Sequence, residues 1–140
     1  MSVWTHVAGC IRIDDMKKMG LLSNRKDEID LNKIFIRNTW NNPNDNGNMP
    51  TGSEGSIDVE ITDRNEEGTE YMRVVTLFGD LRDYGKKQCE ELKKWWYDIP
   101  QKLGRDGYIR NAVLQVTPGD GKSFVLTEKD MNIKEIDDYE

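Results

Sequence analysis

Histidine occurs once and cysteine twice in 140 residues, and both shortages narrow the chemistry open to this chain. With one imidazole, His6, only a single side chain of that type is available as a general base. Cys10 falls on a predicted strand and Cys89 on a predicted helix, so each reads as a reduced packing residue rather than a metal or redox group. No apolar run approaches a membrane span, and the start Met-Ser-Val-Trp has neither the basic nor the apolar segment of a secretory signal. Asn-x-Ser/Thr is also absent. Positive charge is the minority: 20 Lys and Arg stand against 26 Asp and Glu, a net charge of −6. That balance works against direct nucleic-acid binding, which needs clustered basic residues, although Lys86-Lys87 and Lys93-Lys94 are local basic pairs. A cytosolic chain without membrane contact is the expectation.

What the chain does have is large packing groups: four Trp, five Tyr and three Phe. With 36% apolar and 33% charged residues it reads as one folded, very polar domain over residues 1–130, followed by an acidic tail at 131–140. Tyr71 to Phe78 reads as a buried strand, and Gly79 to Gly85 as a turn. A helical pattern then runs to Leu103, with Cys89, Leu92, Trp96, Ile99 and Leu103 on one stripe and Pro100 expected to kink or end it near Asp98. Trp95 lies about 100° from Trp96 around that helix and is expected to be exposed, which makes it the leading single contact residue.

The other elements follow from periodicity. Val3 to Ile13 alternates, with Val3, Thr5, Val7, Ile11 and Ile13 on an apolar face and Trp4, His6, Ala8, Cys10 and Arg12 on a mixed one. Asp14-Asp15 reads as the strand end, and Met16 to Asn24 as a turn. Arg25 to Trp40 carries a helical pattern with β-branched residues near its end. Asn41 to Ser56 is a long polar loop, Ile57 to Ile61 a half-exposed strand, and Asp63 to Gly68 the hairpin loop into the Tyr71 strand. Tyr108 to Thr117 alternates, Pro118-Gly-Asp-Gly turns, and Ser123 to Thr127 returns as its partner. The series predicts an α+β fold: a ferredoxin-like split βαβ sandwich, an antiparallel sheet with two helices on one face and an added C-terminal hairpin strand.

Tested against chemistry, the motifs yield no cofactor. Gly121-Lys122-Ser123 lacks the first P-loop glycine, since Val116 stands there, and a strand follows it instead of a helix. Asn42, Asn44, Asn46 and Gly47 imitate the start of a calcium loop, but Ser53 occupies the bidentate position. Thr51 to Ser56 resembles a nucleophile turn only loosely, because Thr51 stands where glycine is required. Its glycines nevertheless leave backbone N–H groups able to meet a small anion or a partner, which nominates Ser53 and Glu54. Asp80 and Asp83 read as helix caps. The acidic second hairpin nominates Glu66 and Glu67 as contacts to a basic surface.

Three stretches, Trp4-Thr5-His6-Val7-Ala8-Gly9 into Ile11-Arg12-Ile13, Pro50 to Gly55, and Leu77-Phe78-Gly79-Asp80-Leu81-Arg82-Asp83, resemble small proteins encoded by tailed bacteriophages. The resemblance touches about a third of the chain and carries no assigned activity. It implies action in the cytoplasm of an infected bacterium or in the virion. The expectation is a non-enzymatic binding protein that engages a host or defence-system protein, or a small anionic ligand. The alternative is a virion structural or assembly protein that forms homo-oligomers.

Overall fold

Residues 2–19, 28–37 and 49–133 are described by the computed structural model. Five strands, β1 (Trp4–Asp15), β2 (Ile57–Asp63), β3 (Met72–Arg82), β4 (Gly107–Pro118) and β5 (Phe124–Thr127), form one antiparallel sheet in the order β2-β3-β1-β4-β5. Two helices, α1 (Leu31–Ile34) and α2 (Cys89–Leu103), complete an α+β chain.

Alternation decides which side of the sheet is covered. Thr5, Val7, Ile11 and Ile13 of β1 are buried, as are Val75, Leu77 and Leu81 of β3 and Leu114 and Val116 of β4. These residues form one core with Ile29, Leu31, Phe35 and the apolar face of α2. Trp96 is fully buried and its indole N–H donates to the Thr127 carbonyl at 2.9 Å, which ties the helix to the end of β5.

Three expectations need correction. The strand at Tyr71 does not stop at Phe78: β3 continues through Gly79 to Arg82, because Gly79 pairs with both Val7 and Ile57 and Leu81 enters the core. A Cβ on Gly79 would lie 2.3 Å from the Ser56 carbonyl oxygen, so the glycine permits the two strands to approach instead of turning the chain. Pro100 does not end α2, which runs on to Leu103, where Gly104 N–H bonds back to the Pro100 carbonyl. A proline three residues from the end sacrifices one donor in the last turn, and the buried stripe outweighs that loss. The first helix is a single turn, Leu31–Ile34, and residues 35–37 are not helical. Residues 25–27 and 38–40 of that expected helix, 41–48 of the long loop, and the tail from 134 lie outside the described residues.

Asp14 and Asp15 end β1 as expected, and both are buried there. Asp15 accepts from the backbone N–H groups of Lys17 (3.0 Å), Lys18 (3.3 Å) and Ile29 (2.8 Å). Arg73 reaches Asp15 at 3.1 Å, Asp63 at 2.6 Å and the Ile29 carbonyl at 2.7 Å. One guanidinium fork thus fastens β1, β2, β3 and the segment leading into α1. Burial pushes the Asp63 carboxyl up, but its hydrogen bond to Arg73 and the charges of Arg73 and Lys18 outweigh burial and hold it below the ordinary carboxylate value. A depressed folded pKa contributes stability above the unfolded value that is lost as pH falls through the folded one. The melting temperature of Asp63→Asn is therefore expected to lie below that of the parent at pH 7. The gap should close as pH is lowered through the acidic carboxylate range, and a gap that persists unchanged in acid would remove this assignment.

Candidate functional site

The even-numbered side of β1 faces away from the core, and register extends it into an open face across the whole sheet. Asp58, Phe78, Ala8, Gln115 and Val125 lie side by side in one row. Glu60, Thr76, Cys10, Val113 and Thr127 form the next. His6 stands between Asp80 and Thr117 beyond the first row, and Arg12 between Val74 and Asn111 beyond the second. Phe78 is 59% exposed, Val125 53%, Val113 41% and Trp4 36%. Isolated exposed hydrophobics are ordinary, but these sit together on one surface, which is where contacts with partners concentrate.

The face has relief and polarity. Ala8 and Cys10 are small, so β1 forms a trough beside the ridge made by Phe78 on β3. Its β2 margin is acidic through Asp58 and Glu60, and a cleft of about 880 Å³ lined by Phe35, Ile36, Arg37, Asp58, Glu60 and Phe78 opens there. Arg37 crosses the margin, bonding Asp58 at 2.9 Å and Ser56 Oγ at 3.0 Å. A second cleft of about 690 Å³ lies at the other end of the sheet, among Met16, Met19, Tyr71, Tyr108, Pro100 and Ile133. The carboxyl of Asp14 lines it and is paired with Arg110 at 2.6 Å.

The glycine-serine loop is docked against β3. Ser53 N–H donates to the Arg82 carbonyl and Arg82 N–H to the Glu54 carbonyl, both at 2.9 Å. The Arg82 guanidinium bonds Glu54 Oε1 at 2.7 Å, and Ser53 Oγ donates to Asp83 Oδ2. Gly55 has φ +79° and a Cβ there would lie 1.9 Å from the Asp80 carbonyl oxygen, so glycine is required by conformation and by space. Ser53 and Glu54 are exposed, but their polar groups serve this contact.

Chemically, the residues form two separate pairs. His6 Nδ1 bonds Asp80, and both side chains are well exposed, while Ser53 bonds a different carboxylate, Asp83. His6, Asp80, Ser53 and Asp83 line neither of the two clefts. Asp80 and Asp83 do not cap α2, contrary to expectation: the helix starts six residues later, Gln88 precedes it, and Gln88 Oε1 accepts from Gly85 N–H at 2.9 Å. Trp95 is also corrected, being only 5% exposed. It is three residues past Leu92 and four before Ile99, so it lies about 60° from the one and about 40° from the other around the helix, although 100° from Trp96. Tyr97 is the exposed aromatic of that run. Glu66 and Glu67 are exposed in the hairpin loop as expected, with Arg64 3.9 Å from Glu66.

Among the described residues no three His, Cys, Asp or Glu side chains are grouped to hold a metal ion. No helix among the described residues is long and apolar enough to cross a membrane. No protein family, curated protein or solved structure matches the chain. The open face was the feature that sequence reading missed. Its signal was the mixed face of β1 itself, where Trp4, Ala8 and Cys10 alternate with polar residues instead of yielding wholly to them.

Proposed function

We propose that this chain is a non-enzymatic binding protein that works by laying the open face of its sheet against another protein. The observation that supports it is the group of exposed Phe78, Val113, Val125 and Trp4 on one face, opposite a fully used core. An exposed apolar group of this kind is stabilised by removal from water, at roughly 25 cal/mol per Å² buried. The strand order supports a ferredoxin-like split βαβ arrangement in which β1–β2 and β3–β4 each skip a strand, with β5 added at the edge. Phage origin, a host or defence-system partner and action in the bacterial cytoplasm belong to the same proposal. A virion assembly role is its second reading, favoured because such a face also suits packing between subunits.

Cys10 gives the test, since it is the exposed thiol at the centre of the face while Cys89 is buried. Burial also pushes the Cys89 thiol pKa up, which keeps it unreactive. N-ethylmaleimide labelling of Cys10 is expected to be slower in lysate of infected cells than in dilute pure protein. Phe78→Glu should restore the fast rate. Equal rates in lysate and in dilute solution would overturn the proposal.

A further inference from the structure

We infer that the outer edge of β2 is a docking site for an extended segment of another protein, one that alternates Lys or Arg with apolar residues and joins the sheet as a further strand. The inference stands apart from the open face, since it uses the backbone of one strand. β2 begins the order β2-β3-β1-β4-β5, so among the described residues β3 is its only strand neighbour. Register shows which backbone groups are left over. Arg64 N–H donates to the Met72 carbonyl at 3.1 Å and Arg82 N–H to the Glu54 carbonyl at 2.9 Å, so the even-numbered residues of β2 and β3 face each other. The N–H and C=O groups of Val59 and Ile61 therefore point outward, and among the described residues no partner bonds them there.

The opposite edge of the sheet is closed. β5 has four residues, and Thr127 at its end uses both backbone groups within the chain: its N–H donates to Asp130 at 2.8 Å and its carbonyl accepts from Trp96 at 2.9 Å. β2 has seven residues and carries no proline, lysine or register shift, the means by which native sheets blunt an edge. Space lies along it. The cleft of about 880 Å³ is lined by Asp58 and Glu60 from one face of β2 and by Val59 and Ile61 from the other, which places it along the rim of the strand. Arg37 crosses at Asp58, so Val59 to Asp63 stays open, about 17 Å of strand.

The lining sets the chemistry of the guest. Four carboxylates, Glu28, Asp58, Glu60 and Asp63, stand against two guanidiniums, Arg37 and Arg73, and both guanidiniums are already bonded to carboxylates. Lys18 is likewise engaged, by Glu28 at 3.3 Å and Asp63 at 3.5 Å. Glu60 is exposed and has no ion pair among the described residues. In an added strand, side chains beside Asp58 and Glu60 meet negative charge, whereas those beside Val59 and Ile61 meet apolar surface continuous with the core. Alternating basic and apolar residues answer both sides, while the guest backbone takes up the outward groups. A second β2 edge does not fit, because antiparallel pairing centred near Glu60 sets Glu60 against Glu60 or Asp58.

The test is fluorescence anisotropy of the pure protein with a labelled synthetic peptide of about eight residues alternating Lys and Val. Saturable binding is expected, with a Kd on the order of 10–100 µM. A peptide alternating Glu and Val should not bind. The Lys–Val peptide N-methylated along its backbone keeps its charge but loses its donors, and should bind at least about tenfold more weakly. Val59→Pro deletes one outward N–H without touching the β2–β3 ladder, and should also cost about tenfold or more. Glu60→Lys should weaken binding by a similar factor, and decides together with the N-methylated peptide should Val59→Pro fail to fold. No saturable binding up to about 1 mM overturns the inference. Equal binding of the N-methylated peptide overturns it too, since charge alone would then hold the guest. Any of these failures leaves the open-face reading, tested on Cys10 in lysate, where it stood.

Discussion

A chain carrying Arg73→Met is expected to lose about 3–5 kcal/mol of stability, lowering its melting temperature by roughly 10–15 °C. Asp15 is fully buried, and Arg73 is the cation that reaches it. Removing that cation leaves a carboxylate in the interior with three backbone N–H donors but no neutralising charge. In the same step the Ile29 carbonyl is left with the Leu31 N–H alone and Asp63 with Lys18 at 3.5 Å. Arg73→Lys should fall between parent and Arg73→Met, because an ammonium keeps the charge but cannot serve all three acceptors with the geometry of a guanidinium. Urea unfolding of the three chains measures this, and a loss below about 1 kcal/mol for Arg73→Met would show that the cluster is not a clasp.

The second large effect is expected at Gly9, in the middle of the central strand. A Cβ on Gly9 would lie 2.0 Å from the Val113 carbonyl oxygen and 2.7 Å from the Leu114 Cα. Both neighbours are backbone, so no side chain can swing aside, and β4 must retreat from β1 at the centre of their ladder. Gly9→Ala should cost about 3 kcal/mol, and Gly9→Val should prevent folding to the native sheet. Gly68 is the control, since a Cβ there meets nothing within 4 Å. At φ +86° it should cost only the conformational penalty of about 1 kcal/mol for alanine. Circular dichroism melts of the three variants separate crowding from conformation. Equal losses for Gly9→Ala and Gly68→Ala would contradict the close approach.

The strands of period two and the apolar stripe of α2 were legible from residue spacing alone, because alternation in Val3 to Ile13 and the three-and-four repeat of Leu92, Trp96, Ile99 and Leu103 report local geometry directly. Features set by tertiary approach were not. Gly79 looks like a turn residue until two strands are found pressing on it. The helix pattern before Trp40 yields a single described turn, Leu31–Ile34, since the segment is held by Asp15 and Arg73 rather than by its own propensity. Trp95 was placed by its angle to one neighbour instead of to the stripe as a whole. The Arg73 clasp left a trace that could have been read: Arg73 and Asp15 are charged residues on the otherwise apolar sides of their strands. Ser53 and Glu54 were noticed for good reason, as glycines do mark close backbone approach. The body that approaches is β3 of the same chain.

The strand made first occupies the middle of the sheet. β1, ending at Asp15, needs β3 on one side and β4, which ends at Pro118, on the other. During translation its second edge stays uncovered until the chain has been made as far as Pro118. Nascent chains arrested short of β4 should therefore carry an unprotected β1 edge and depend on chaperones, and completed chains should fold slowly for their length, as sequence-distant pairing dictates.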